Sequence, residues 1–314
     1  MANTPAAPAA PAASRTSSPG IAAVAAAAVS VVLWASAFVS IRSAGESYSP
    51  GALALGRLLS GAVVLGAICL VRREGLPPRA AWPGIAVSGL VWFGLYTVVL
   101  NWGEQKVDAG TAALVVNIGP LVMALLAGWL LKEGLPKRLL LGMGVSFVGA
   151  AIVGLSMSGD GSASVLGVVL CLVAAVAYAA GVVAQKPALV HASPLQATTY
   201  GCAIGAVACL PFAGRLVEDA AHAPVSATLN MVYLGVFPTA LAFTTWAYAL
   251  ARTTAGKMGA TTYAVPAIVV LMAWLLLDEV PGWLTLLGGA VCLAGVAVSR
   301  GRGRAAGASR GATR

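Results

Sequence analysis

The chain has 314 residues, of which 59% are hydrophobic and only 9% charged, against roughly a quarter charged in an ordinary soluble domain. With a mean hydropathy of +0.90, too few charges exist to cover a water-soluble fold of this length, so the solvent of most of the chain is lipid. The net charge of +9 does not signal nucleic acid, because the basic residues fall between apolar stretches rather than on one soluble face.

Residues 1–19 are rich in Ala, Pro and Ser and read as a disordered cytoplasmic segment. A cleaved signal peptide is the competing reading of 1–41, disfavoured because its apolar run is full length. Charge-free stretches then follow at 16–41, 80–103, 109–131, 139–159, 161–185, 187–214, 220–251, 258–277 and 280–299. A tenth, 47–71, is interrupted only by Arg57. Each is long enough to cross a hydrocarbon core of about 30 Å as a helix. Membrane strands need only about 10 residues of alternating polarity, and these stretches are longer and apolar all round, so they predict helices. With the N-terminus inside, loops and tails carry 15 basic residues on the inner face against 3 on the outer, which places both termini in the cytoplasm. The basic tail 300–314 anchors that side, with contact to anionic lipid as the sharper reading.

The chain resembles itself. At a shift of 146, DAGTAA (108–113) meets TAGKMG (254–259), and Pro120, Glu133, Gly142 and Gly149 meet Pro266, Glu279, Gly288 and Gly295. At a shift of 144, Trp34, Arg42 and Pro50 meet Tyr178, Lys186 and Pro194. The expected fold is therefore an all-α membrane protein of ten transmembrane helices, in two repeats at 20–155 and 164–299. Five helices per repeat invert the second copy relative to the first, an architecture of alternating-access carriers.

Several side chains stand out along the spans. Trp34 and Tyr178 correspond in helices 1 and 6, while Tyr96, Thr245 and Trp246 add rings and a hydroxyl. Arg57 lies seven residues into helix 2, counted from Pro50, about 10 Å below the outer end, where it either serves a solute or pairs with Glu46, Glu104 or Asp108. Pro120 and Pro266 kink helices 4 and 9 near the midplane. Asn117 and Tyr263 precede them by three residues and are the candidate solute ligands there. Glu133 and Glu279 close the same helices as end or gate groups, and Glu133 is expected to pair with Lys132, Lys137 or Arg138. Trp82, Trp92, Trp102, Trp283 and Tyr248 read as interfacial anchors. The glycines 142, 149, 288 and 295 predict close packing of helices 5 and 10. The cysteines, all inside apolar spans, read as small buried hydrophobes.

The Trp-Ala-Ser-Ala-Phe stretch at 34–38, Pro50 followed by Arg57, and Ala109-Gly110 leading to Pro120 and Glu133 resemble the EamA family of the drug/metabolite transporter superfamily. The second copy at Ala255, Gly256, Pro266 and Glu279 extends the resemblance across about residues 21–299. It implies a central cavity lined by parts of helices 1, 3, 4, 6, 8 and 9, and export or exchange of small metabolites such as amino acids. The position equivalent to Arg57 in the second copy is Gly201.

No G-x-x-x-x-G-K-[ST] motif occurs, and no carboxylate lies deep in a span. His191 and His222 fall in loops without acidic companions. These features predict no cofactor, no metal and no enzyme chemistry. The expected partners are a small-molecule solute and the bilayer of the inner (plasma) membrane, not nucleic acid; a homodimer and a flippase of the same fold stay open.

Overall fold

The computed structural model describes residues 20–107, 112, 115–157, 164–277 and 282–300, and among these there is no strand. The first half contains α1 (Ile21–Gly45), α2 (Pro50–Arg72), α3 (Arg79–Glu104), α4 (Gly119–Leu130) and α5 (Lys137–Met157). The second contains α6 (Val165–Ala188), α7 (Pro194–Ala208), α8 (Val225–Leu250), α9 (Ala255–Thr262 and Ala264–Leu277) and α10 (Trp283–Arg300). Five of them, α1, α2, α3, α6 and α8, are long and apolar enough to cross a membrane. The sequence expects one span over 187–214, but the chain turns by 52° after Ala208 into Leu210–His222. Pro211, which has no N–H to give the preceding turn, accounts for that bend.

Helix boundaries follow local chemistry. Pro50 and Pro194 occupy first turns, where a missing N–H costs nothing. Ser193 and Gln196 form a reciprocal capping box on α7. Arg73 ends α2 in the left-handed region at φ 53°.

Connections sort into two groups. In one, Gln105 donates to the Gly45 carbonyl at 3.2 Å, and Ser49 donates its N–H and hydroxyl to Asp219 Oδ2, each at 2.8 Å. Gly167 lies against Lys106 and Val107 of the same group. In the other, Ser193 donates to Glu74, Gln196 to the Gly75 carbonyl, Lys186 to the Leu250 and Thr253 carbonyls, and the Ala255 amide to Glu133. Among the described residues, odd-numbered connections gather with odd, and even with even.

The repeat also appears as packing. A π-helical turn begins at Gly89 in α3 and another at Gly235 in α8. Gly61 of α2 touches Gly235 and Thr239, while Gly205 of α7 touches Gly89 and Phe93. The ladder is interrupted at Asn117–Ile118 before α4 and at Tyr263 within α9. Most regular is the contact of α5 with α10. Gly142 lies against Gly295 and Ser299, Gly149 against Gly288 and Cys292, and Ser146 Oγ donates to the Cys292 carbonyl at 3.0 Å. Cys292 Sγ returns a contact to the Ser146 carbonyl at 3.4 Å. The pairing reads the same from either helix, as across an isologous two-fold interface, and it is antiparallel.

A side chain at Gly149 meets backbone: its Cβ would sit 2.4 Å from the Cys292 nitrogen, whereas one at Gly144 meets nothing within 4 Å. Gly149→Leu is therefore expected to destabilise the protein by about 1–3 kcal/mol of overpacking, seen as a lower Tm of detergent-purified protein. Gly144→Ala is expected to leave Tm unchanged.

Candidate functional site

A cavity of about 120 Å³ lies where the interrupted helices meet. Its walls come from α1 (Trp34, Ala37, Phe38, Ile41), α3 (Trp92, Tyr96, Leu100), α6 (Tyr178), α8 (Phe243) and α9 (Thr262, Val265, Pro266). Val116, Asn117 and Pro120 add the approach to α4, and Arg57 adds α2. No carboxylate is among the described lining residues.

The aromatic wall is fixed by ring-on-ring packing. Trp92 and Phe243 have centroids 4.5 Å apart, Trp34 and Phe243 5.5 Å, and Tyr96 and Tyr178 6.0 Å, all within the range of favourable aromatic pairs. Trp34 also donates its indole N–H to the Pro238 carbonyl at 3.2 Å, which ties α1 to the π turn of α8. The Tyr178 hydroxyl faces that of Thr262 but makes no bond of standard geometry; Thr262 donates instead to the Gly259 carbonyl at 2.7 Å.

The polar end of the cavity is built around Arg57, only 4% exposed. Its Nε donates to Thr239 Oγ1 at 2.6 Å, and Thr239 donates in turn to the Leu234 carbonyl at 2.9 Å. Residue 238, which would donate to that carbonyl in an α-helix, is proline. Among the described residues this is the one hydrogen bond of the guanidinium, although the carboxylate of Glu104 acts on it electrostatically. Of the partners expected from sequence, Asp108 lies outside the described residues, and Arg57 forms no hydrogen bond with Glu46 or Glu104.

Pro120 and Pro266 withhold N–H groups from the carbonyls four residues earlier, those of Val116 and Thr262. Both of those residues line the cavity. Trp34, Arg57, Tyr96, Asn117, Tyr178, Pro120 and Pro266 are thus brought together. Trp246, fully buried, backs Trp34 at 4.7 Å between centroids. Thr245 lies outside the wall, its hydroxyl 2.8 Å from that of Ser30. Tyr263 is buried on the α5–α10 side with Met143 and Cys292. Glu279 lies outside the described residues.

Two expectations are corrected. Trp92 is no interfacial anchor: it is 1% exposed and lines the cavity. Its place twelve residues into the stretch 80–103 was the available signal. Glu133 does not bond its neighbouring cations; its oxygens accept the Ala255 and Gly256 amides at 3.1 and 3.4 Å. The N-terminus of α9 is a positive end with unsatisfied donors, and it outcompetes solvated lysines. Lys186 holds the other side of that connection through the Leu250 and Thr253 carbonyls. Phe243, Thr239 and Thr262 escaped sequence reasoning. The shift of 146 relating Gly89 to Gly235 would have marked the π turn that carries Thr239.

The pattern of the EamA-like transporter family matches residues 21–155 and again 165–301. A protein of Streptantibioticus cattleyicolor named "Probable terminal-alkyne amino-acid exporter" is 36% identical over 268 residues, covering 85% of this chain and 90% of its own length. The transporter YdfC of Bacillus subtilis is 34% identical over 264 residues, covering 84% of this chain and 86% of its own. One solved crystal structure superposes with a TM-score of 0.74 at 22% identity over 90% of this chain and 99% of that one, a likeness of fold.

Removing the ring behind Trp34 tests how rigid the wall is. Trp246→Ala is expected to cost about 3–5 kcal/mol and to enlarge the cavity. A lower Tm, partly restored by Trp246→Phe, is the measurable outcome.

Proposed function

The chain belongs to the EamA-like transporter family, and on that premise we propose that it carries a small amino-acid-like solute out across the inner membrane by alternating access. One observation carries this reading: two helices interrupted at equivalent positions, one from each half, meet at a single cavity. Discontinuous helices around a shared midplane site are how inverted-repeat carriers hold their solute. The relative named for amino-acid export supports the solute class.

The same proposal fixes the topology. Ten spans in two inverted repeats, 20–155 and 164–299, alternate their connections between faces, and the two connection groups support that alternation. The basic residues of the even-numbered connections and of both ends support cytoplasmic termini. The reciprocal α5–α10 contact supports a two-fold axis perpendicular to those antiparallel helices, hence in the membrane plane.

On this reading the even-numbered group is the cytoplasmic entrance, and Glu133 with Lys186 forms its clasp. Glu133 takes the amides that begin α9, and Lys186 takes carbonyls that end α8. Lys186 comes from α6 and Glu133 from the connection after α4, so the α8–α9 connection is held from two sides. Glu279, the repeat equivalent of Glu133 in sequence, keeps the proposed gate role at the opposite entrance.

Counterflow tests the function. Purified protein in liposomes preloaded with an unlabelled amino acid is expected to accumulate the labelled one above protein-free vesicles. No counterflow for any of the amino acids, with or without a pH gradient, would refute the solute class. The clasp is tested separately with Asn117→Cys in a background free of other cysteines. Glu133→Gln with Lys186→Gln is expected to speed labelling from the cytoplasmic side by roughly 5- to 30-fold, corresponding to about 1–2 kcal/mol. An unchanged rate would remove both residues from the gate.

A further inference from the structure

We infer that the guanidinium of Arg57, set by Thr239, is the carboxylate subsite of the cavity, and that the transported solute bears one carboxylate on an apolar body. The inference rests on the carrier reading and narrows its solute.

Arg57 is buried at 4% exposure and lines the cavity. A guanidinium presents five N–H donors, and among the described residues only Nε is bonded. The hydroxyl of Thr239 has a single proton, and that proton goes to the Leu234 carbonyl. Toward Arg57 it can only accept. Thr239 is itself 1% exposed, so the arrangement is fixed from behind by the π turn of α8. With Nε turned to Thr239, the Nη donors remain for a planar anion, the geometry in which arginine binds carboxylate with two parallel bonds.

The rest of the wall limits what that anion is attached to. Among the described lining residues there is no second cation and no carboxylate. A dianion would leave one charge unmatched, and a solute with a cationic side chain would find no acid to pair with. Trp92 and Phe243 offer ring faces instead, which suit an apolar body. An α-ammonium is compatible with such faces through cation–π attraction, and with the Val116 and Thr262 carbonyls that lack helical donors.

The repeat sharpens the assignment, because the subsite exists once. The positions equivalent to Arg57 and Thr239 are Gly201 and Phe93, which touch each other at 3.1 Å from a Cβ built on the glycine. In one half a cation and a hydroxyl meet; in the other a benzyl ring fills the corresponding place. A solute therefore binds with one end committed to the first half.

Three compounds sharing one carbon skeleton separate the charges: leucine, 4-methylpentanoate, which lacks the ammonium, and isoamylamine, which lacks the carboxylate. Tryptophan fluorescence of the protein in nanodiscs reads binding, since Trp34 and Trp92 line the cavity. Leucine and 4-methylpentanoate are expected to bind at least tenfold more tightly than isoamylamine, and either order of the two carboxylates supports the subsite. Arg57→Gln should weaken both carboxylates at least tenfold and leave isoamylamine unchanged. Arg57→Lys should recover the charge but only part of the affinity. Thr239→Val should weaken the carboxylates about fivefold, and Thr239→Ser should restore them.

Equal binding of isoamylamine, binding of none of the three compounds, or wild-type leucine affinity in a folded Arg57→Gln protein would overturn the inference. Counterflow in liposomes keeps the two readings apart. Carboxylate-selective binding without counterflow of any solute would sink the carrier and leave the subsite. Leucine counterflow indifferent to Arg57→Gln would do the reverse.

Discussion

In hydrocarbon every backbone N–H and C=O must find a partner inside the protein, and this constraint governs where the chain departs from regular helix. Prolines at 120, 238 and 266 each withhold a donor from the carbonyl four residues earlier. The Leu234 carbonyl, deprived by Pro238, is taken by the Thr239 hydroxyl, and the Pro238 carbonyl accepts the indole of Trp34. Val116 and Thr262, deprived by Pro120 and Pro266, line the cavity. Irregular backbone thus collects at one place, where side chains and an interior space replace the lost bonds. The polarity of the site is a consequence of broken helices as much as of the residues that project into it.

The two halves are alike where they pack closely and different at the cavity. Glycines recur at 61 and 205, at 89 and 235, at 142 and 288, and at 149 and 295, because helices approach closely at each of those points. The pairing of Ser146 with Cys292, which are repeat equivalents of each other, lies at the centre of the α5–α10 contact. Departures cluster at the cavity: Arg57 against Gly201, Thr239 against Phe93, Asn117 against Tyr263. On the proposed carrier reading, symmetric packing would let the halves exchange arrangements, while an asymmetric wall would give a solute a single orientation. These are separate requirements, and they fall on separate residues.

Much of this was legible in the sequence. The charge-free stretches located the helices, the two prolines located the interruptions, and the spaced glycines located the α5–α10 seam. Trp34, Arg57, Tyr96, Asn117 and Tyr178 were found because a ring, an amide or a charge inside an apolar run is costly enough to notice. Phe243 was missed because a phenylalanine in a membrane span carries no such signal. Tyr263 was expected at the site on its repeat match to Asn117, but residues at equivalent positions do not face the same neighbours when the surrounding side chains differ. Its ring packs with Met143 and Cys292 instead. The partner of Glu133 was missed for another reason: helix ends bind carboxylates through backbone amides, which are present in every sequence and conspicuous in none.

Helix α8 joins the two regions that matter. Its π turn holds Arg57 through Thr239 and Trp34 through Pro238, and its last carbonyls are held by Lys186. From Thr239 to Leu250 is eleven residues, about 16 Å of rigid helix at 1.5 Å per residue. The links at both ends are side-chain hydrogen bonds, each contributing about 1 kcal/mol net, and not interlocked backbone like that of α5 and α10. A rigid rod with weak, replaceable contacts at either end can change partners without unfolding, whereas the glycine seam cannot. On the proposed carrier reading, that division of strong and weak contacts would separate the elements free to move in a transport cycle from those that hold the halves together.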